Sequence, residues 1–164
     1  MRKYKVIFIV IFLSLTSYLL FYMWEFSSKN SNFFFKCESD VTYDIYNEGQ
    51  RSNIDALYVL MLGKENQGVL HISGVYNEHN KKLELDRTYY FTYQYSNKVG
   101  IYTILISKER TSKFDSVNSD IFHTNFLPEI PGEKTYIKVT SPEKDIYFFE
   151  ALSYPLFMCT KSNI

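Results

Sequence analysis

The sequence predicts a mainly β domain, an antiparallel sheet or small barrel of about eight strands with one short helix, behind a single N-terminal transmembrane helix. Three observations predict this architecture. The chain has 15 tyrosines and 14 phenylalanines but a single tryptophan, and sheets favour aromatic residues. Apolar and polar residues alternate over long stretches, as in strands with one buried face. One apolar run without charge occupies residues 6–24.

Composition narrows the class of protein. The 164 residues suggest one domain with additional segments. Basic and acidic residues number 18 each, so the formal net charge is zero. The absence of any long run of one sign argues against a nucleic-acid-binding chain. Six glycines and four prolines are too few for a disordered or collagen-like chain.

The N-terminal apolar run indicates the compartment. Its 19 residues, VIFIVIFLSLTSYLLFYMW, would span about 28 Å as a helix, close to the thickness of a bilayer core. Basic residues precede the run and Glu25 follows it, which predicts a cytoplasmic N-terminus. The alternative is a cleaved signal peptide, but such peptides have shorter apolar regions and small residues at the cleavage site. We therefore predict a cytoplasmic tail (1–5), a transmembrane helix (6–24), a linker (25–32) and a β domain outside the cytoplasm (33–164).

The two cysteines lie at opposite edges of the predicted domain, in NFFFKCESD and YPLFMCTKS. In an oxidising compartment, Cys37 and Cys159 can form a disulfide that ties the first strand to the last. The alternatives are disulfides between two copies of the chain and a pair of unbonded buried thiols. A redox role is not favoured, because the chain has no C-x-x-C spacing.

The part of the domain before the predicted helix contains five predicted strands. Alternation from Phe33 to Ile45 predicts a long strand with one buried face. The segment Asp55–Leu62 is apolar at both parities, which suggests burial on both faces. A further strand, Gly68–Tyr76, is followed by the polar sequence YNEHNKK, which we expect to be a loop. Leu83–Ser96 and Val99–Ser107 then form the clearest hairpin in the sequence.

The second half begins with the one predicted helix. Apolar residues from Val117 to Phe126 have rough helical spacing, Asp115 or Ser116 could cap the segment, and Pro128 would end it. Three shorter strands follow: Thr135–Thr140, Asp145–Ala151 and Pro155–Lys161. Short connections favour antiparallel neighbours, and eight such strands can close into a barrel that holds side chains or one small ligand.

The sequence contains no recognisable catalytic motif, and we expect neither enzymatic activity nor a cofactor. The three histidines have no His or Cys partner at metal-binding spacing. Asp86 and Arg87 are adjacent and would face opposite ways on a strand, so we expect a solvated face or cross-strand pairing. His71 and His123 are candidate pH sensors because histidine titrates near neutral pH; the alternative is ordinary polar surface.

Aromatic residues are the most suggestive functional feature. Several of them could line an apolar pocket with hydroxyl groups available for hydrogen bonds. The alternative is that they fill the core of a β domain without any binding role. The candidate ligand-binding residues are Tyr43, Tyr89, Phe91, Tyr93, Tyr95 and Tyr102.

The layout of the chain resembles the FidL-like family of enterobacterial membrane proteins. It also resembles the small accessory partners, of ToxS, VtrC and PsaF type, of ToxR-like transmembrane regulators. The resemblance lies in the anchor MRKYKVIFIVIFLSLTSYLLFY, the cysteine in FFKCESDVTY, the β-rich GVLHISGVY and LDRTYYFTYQY, and the end YPLFMCTK. It covers nearly the whole chain, with diffuse motifs.

The resemblance implies a single-pass protein of the bacterial inner membrane with a periplasmic domain. Such accessory proteins bind and stabilise the extracytoplasmic domain of a ToxR-like transcription activator and help it to sense conditions that control virulence or fimbrial genes. Some of the paired domains form a lipocalin-like barrel that admits a bile salt or another apolar ligand. Two other interpretations are a membrane-tethered lipocalin-like binder that acts without a partner, and a structural member of a secretion or fimbrial assembly.

Overall fold

The computed structural model describes residues 13–18, 33–47, 50–78, 81–96, 100–126, 132–152 and 154–162. The chain divides into two compact units, Met1–Asn32 and Phe33–Ile164. In the first unit, residues 13–18 are helical. The predicted tail, the predicted linker and the remainder of the predicted span 6–24 lie outside the described residues. No helix in the described ranges is long and apolar enough to cross a membrane.

The second unit is a closed barrel of eight strands, in which each strand pairs antiparallel with the next and β8 returns to β1. The predicted mainly β fold is confirmed, and of the two predicted forms, an antiparallel sheet or a small barrel, the structure has the barrel. Alternating residues point inward, so one face of each strand builds the core. The strands are β1 (Phe33–Asn47), β2 (Gln50–Gly63), β3 (Gln67–Glu78), β4 (Lys81–Tyr95), β5 (Ile101–Thr111), β6 (Lys134–Glu143), β7 (Ile146–Ala151) and β8 (Pro155–Lys161).

The predicted helix is present as α1, Ser119–Phe126, but its cap differs from the prediction. Asn118 caps it: the side-chain oxygen accepts hydrogen bonds from the backbone N–H groups of Asp120, at 2.8 Å, and Ile121, at 3.3 Å. The predicted caps instead bind strand β4. The Asp115 carboxylate accepts from the backbone N–H of Asp86 at 2.9 Å, and the Ser116 hydroxyl accepts from that of Glu84 at 3.0 Å.

Two expectations about the strands were wrong. Strand β2 is buried on one face only: Ile54 and Leu60 are buried, whereas Leu57 is 38% exposed. A barrel wall is a single layer, so its outer face meets solvent even where the residues are apolar. The polar sequence after β3 is also no long loop, because β3 and β4 stay paired as far as Glu78 and Lys81. Lys81 and Lys82, at the start of β4, are exposed.

The barrel is asymmetric because β1–β5 are longer than β6–β8. In the described ranges, the register between β1 and β8 comprises Cys37 and Glu38 of β1, and the backbone N–H of Ser162 also donates to the carbonyl of Lys36 at 2.9 Å. The β5–β6 ladder ends at Leu105. Strands β1 and β5 run in the same direction, so both continue past β6–β8 at the same end. Helix α1 packs in this end, where the ring of Phe126 lies 5.5 Å from that of Tyr76.

The predicted disulfide between Cys37 and Cys159 is confirmed. It joins β1 to β8 with a Cα–Cα distance of 5.6 Å across 122 positions of sequence. Both cysteines are buried. The bond lies beside the two residue pairs in register between these strands, so it reinforces the shortest ladder of the barrel.

Candidate functional site: an apolar cavity beside a buried ionic cluster

The barrel encloses a cavity of about 330 Å³. Its wall comes from all eight strands and α1, and it is built of aliphatic and aromatic side chains with one threonine. The aromatic lining residues are Phe34, Phe35, Tyr43, Tyr58, Tyr89, Phe91, Tyr93, Tyr102, Phe126, Tyr147, Phe149 and Phe157. This volume lies at the lower end of the range for small-molecule pockets.

Five of the six aromatic residues proposed from the sequence line the cavity: Tyr43, Tyr89, Phe91, Tyr93 and Tyr102. The sixth, Tyr95, does not line it. Tyr95 is the last residue of β4, is 53% exposed, and packs against Tyr102 at a ring distance of 5.3 Å. The alternating pattern of β4 predicted that Tyr95 points inward, but the cavity ends before this residue.

Sequence reasoning missed other parts of the wall. Tyr58 was hidden in a segment that is apolar at both parities, so its inward direction could not be read. Phe157 lines the wall through a short strand, and Phe126 through α1. For these two residues the signal was absent, because contacts between distant segments decide which side chains share the cavity.

The tyrosine hydroxyls of the wall differ in their partners. Tyr93 donates to the backbone carbonyl of Gly63 at 3.2 Å, and Tyr89 donates to Glu109 at 2.8 Å. The buried hydroxyl of Tyr58 has no hydrogen-bond partner among the described residues. Burial, with a contribution from the nearby Tyr43, raises the pKa of Tyr58 well above its ordinary value.

Beside the cavity, Arg87 is buried with no exposed surface. Its guanidinium makes a bidentate pair with Asp115, at 2.9 and 3.0 Å. It also donates to Glu109 at 3.1 Å, to the Ser119 hydroxyl at 3.2 Å and to the backbone carbonyl of Val117. All five N–H donors of the side chain are thus satisfied, as a buried charge requires.

The expectation of a solvated face was wrong for Arg87, whereas the alternative expectation, cross-strand pairing, is confirmed by its ion pair with Glu109 of β5 at 3.1 Å. Arg87 has the same parity as Leu85 and Tyr89, which point into the barrel. Burial lowers the pKa of Arg87, but the hydrogen bonds and charge of Asp115 outweigh it and hold this pKa above its ordinary value. The parity was a usable signal, because an arginine in an inward register needs buried acidic partners.

A β-bulge places the second acidic partner. In the β4–β5 ladder, Tyr90 pairs with Lys108 but Phe91 pairs with Ile106, which leaves Ser107 as an extra residue. The bulge shifts the parity of β5, so that Glu109 follows Ile106 on the inner side. Glu109 therefore reaches both Arg87 and Tyr89, and it raises the pKa of Tyr89, for which burial is the larger cause.

Arg87, Asp115, Glu109 and His123 form an ionic cluster. This cluster also holds helix α1. Arg87 binds Ser119 at the start of the helix, and its guanidinium carbon lies 4.8 Å from the centre of the Phe122 ring. One turn on, His123 Nε2 lies 2.9 Å from the Glu109 carboxylate. Since Phe126 of the same helix lines the cavity, the cluster fixes one wall of the cavity.

The two candidate pH sensors lie in different settings. His123 is largely buried and pairs with Glu109. His71 is more exposed, with Nδ1 at 3.1 Å from the Thr88 hydroxyl and Nε2 at 3.7 Å from Asp86. A role in pH sensing stays a prediction for both.

The arrangement separates charge from the cavity. Within the described residues, the wall contains no Lys, Arg, Asp, Glu or His side chain. The charged groups of the ionic cluster bind one another. Phe34 lines the cavity and is 61% exposed, so the cavity meets solvent near the start of β1. Chemically, such a site can hold an apolar molecule and orient it through tyrosine hydroxyls.

The model of the family described as "FidL-like putative membrane protein" matches residues 74–159. This segment is more than half of the 164-residue chain. The chain belongs to the FidL-like family. The matched segment includes the ionic cluster and Cys159, whereas Cys37, Tyr43 and Tyr58 precede it. No curated protein matches the chain.

Proposed function

We propose that this FidL-like protein binds a small apolar molecule inside its barrel. The observation that carries the proposal is the cavity of about 330 Å³ with an uncharged, mainly aromatic wall. A single chain closes the barrel around it, which favours binding by this chain without a partner's wall. The role is one of binding, and it assigns no catalysis and no cofactor to the chain.

The proposal places the domain in the periplasm, tethered to the inner membrane by residues 6–24 with the N-terminus in the cytoplasm. Membership of a membrane-protein family supports a membrane location. The Cys37–Cys159 disulfide supports an oxidising compartment.

Binding can be tested with the full-length protein in lipid nanodiscs and the environment-sensitive fluorescent probe 1-aminonaphthalene. Leu60→Trp would fill the cavity, because Leu60 is buried and lines it. Leu57→Trp is the matched control on the outer face of the same strand. We expect saturable fluorescence with the native protein and Leu57→Trp, and none above empty nanodiscs with Leu60→Trp. Equal signals from all three proteins would refute the proposal.

A second candidate function is that of an accessory partner of a ToxR-like transmembrane regulator of virulence or fimbrial genes. The favouring observation is the edge of β1: among the described residues, the C-terminal segment pairs with β1 at Lys36, Cys37 and Glu38. The rest of β1, from Ser39, could receive a strand of the regulator's periplasmic domain. Tyr46, which is 72% exposed on this strand, would contribute to such an interface.

Co-purification tests the second function. The full-length protein would be co-expressed with the regulator encoded beside it, together with Tyr46→Lys on the edge and Tyr136→Lys on the exposed surface of β6 as its control. We expect a complex that Tyr46→Lys weakens and Tyr136→Lys does not. A regulator whose level, output and purification are independent of this protein would eliminate this role.

A further inference from the structure

The hydroxyl of Tyr58 indicates where a ligand would be polar. Tyr58 is only 5% exposed, lines the cavity and has no hydrogen-bond partner among the described residues. A buried hydroxyl without a hydrogen-bond partner is unfavourable. A water molecule is held by two to four polar partners, and beside Tyr58 the described wall offers one further hydroxyl, that of Tyr43. An oxygen atom of a ligand can be held by a single hydrogen-bond partner, the Tyr58 hydroxyl.

The cavity volume limits the size of the ligand. An apolar cavity of about 150 Å³ holds benzene, which has six carbons. At the same volume per non-hydrogen atom, the observed cavity of 330 Å³ accommodates about a dozen such atoms. A bile salt, with its fused-ring skeleton and side chain, is larger than this.

The wall also limits the charge of the ligand. The described lining residues include no cationic side chain. Arg87, the buried cation beside the cavity, already donates all five N–H groups within its own cluster. A carboxylate or sulfonate inside the cavity would be desolvated without a counter-ion, which is costly.

Resting on the proposed function, we propose that the ligand is an uncharged lipophile of about a dozen non-hydrogen atoms, such as a medium-chain alcohol, whose oxygen hydrogen-bonds to Tyr58. The hydrocarbon part contacts the aromatic wall. The oxygen accepts from the Tyr58 hydroxyl, which orients the molecule.

The test is displacement of 1-aminonaphthalene from the full-length protein in nanodiscs, with competitor concentrations expressed as free aqueous values. The competitors are 1-decanol, 1-chlorodecane, decanoate and cholate. The Leu60→Trp variant measures the background signal that arises when the probe and the competitors partition into the nanodisc lipid. We expect 1-decanol to displace the probe at least about tenfold more effectively than decanoate, because the carboxylate would be buried unpaired. Cholate should not displace it.

Tyr58→Phe tests the hydrogen bond. This substitution should weaken the binding of 1-decanol about two- to tenfold, the usual contribution of one hydrogen bond. The binding of 1-chlorodecane should be unchanged. Circular dichroism and the thermal midpoint would verify that the variant is folded. The comparison of each competitor between the two proteins cancels differences in lipid partitioning.

The outcomes separate the two proposals. Displacement by decanoate or cholate as effective as by 1-decanol would overturn the uncharged ligand class while leaving apolar binding in place. An equal effect of Tyr58→Phe on 1-decanol and 1-chlorodecane would overturn the role of Tyr58. Failure of the fluorescent probe itself to bind would overturn the proposed function.

Discussion

Cys159 of β8 is bonded to Cys37 of β1 beside the shortest ladder of the barrel, where two residue pairs are in register. The covalent bond and these pairs together close the barrel. The bond spans 122 positions, so it removes much entropy from the unfolded chain.

Replacing both cysteines by serine should lower the free energy of unfolding by about 4–5 kcal/mol, the value of the chain-entropy model for a long loop. The thermal midpoint of the full-length protein in mild detergent should fall by more than about 10 °C. Reduction of the native protein with dithiothreitol should give the same midpoint. An unchanged midpoint in both experiments would show that the ladder closes the barrel without the bond.

Arg87→Met should destabilise the protein by about 3–5 kcal/mol, because it leaves Asp115 and Glu109 buried without their cation. Chemical denaturation provides the measurement. Arg110→Met on the exposed side of β5 is the control and should change stability by less than about 0.5 kcal/mol. Similar effects of the two substitutions would mean that the cluster contributes little to stability.

Alkaline pH should destabilise the domain through Tyr58 and Tyr89, whose pKa values are raised mainly by burial. Below the ordinary tyrosine pKa of about 10, both states keep these protons and the stability is fully present. Above it, the unfolded chain loses protons that the folded chain retains, so the free energy of unfolding falls as pH rises toward the folded-state pKa values. The slope is about 1.4 kcal/mol per pH unit for each tyrosine.

Denaturation midpoints measured above pH 10 would check this expectation, with tyrosinate absorbance reporting ionisation. Tyr58→Phe should reduce the slope, and the double variant Tyr58→Phe, Tyr89→Phe should reduce it further. A slope that is the same in all three proteins would contradict the assignment.

Gly74→Ala should destabilise the barrel more than Gly68→Ala. A Cβ atom at Gly74 would lie 2.2 Å from the backbone oxygen of Asp55, so strands β2 and β3 would have to separate. Overpacking of this kind costs about 1–3 kcal/mol. At Gly68 the nearest atoms belong to the ring of Phe91, at 2.2 Å, and a side chain can move where a backbone cannot.

The ring of Phe91 lines the cavity, so Gly68→Ala should displace it inward and weaken ligand binding while the thermal midpoint changes little. The fluorescent-probe titration and a thermal scan of both variants provide the comparison. A larger loss of stability in Gly68→Ala than in Gly74→Ala would contradict this account.

Alternation predicted the strands well where one face is apolar and the other polar, as in β1 and β4. It failed for β2, where outward residues such as Leu57 are also apolar and the parity gives no signal. It gave no prediction for Glu109, because the predicted strand ended at Ser107, whereas β5 continues to Thr111 and the extra residue Ser107 reverses its parity. Such a bulge depends on the pairing of two strands, which the local sequence does not report.

The sequence by itself determined the β class, the number of strands, the helix and the pairing of the two cysteines, because periodicity and compartment are local or compositional properties. Only the tertiary structure decided that Arg87 is buried, that Tyr58 faces an apolar cavity without a partner among the described residues, and that Tyr95 lies outside it. The physical reason is that burial and hydrogen bonding arise from segments far apart in the chain. Barrel closure and the bulge in β5 bring these segments together.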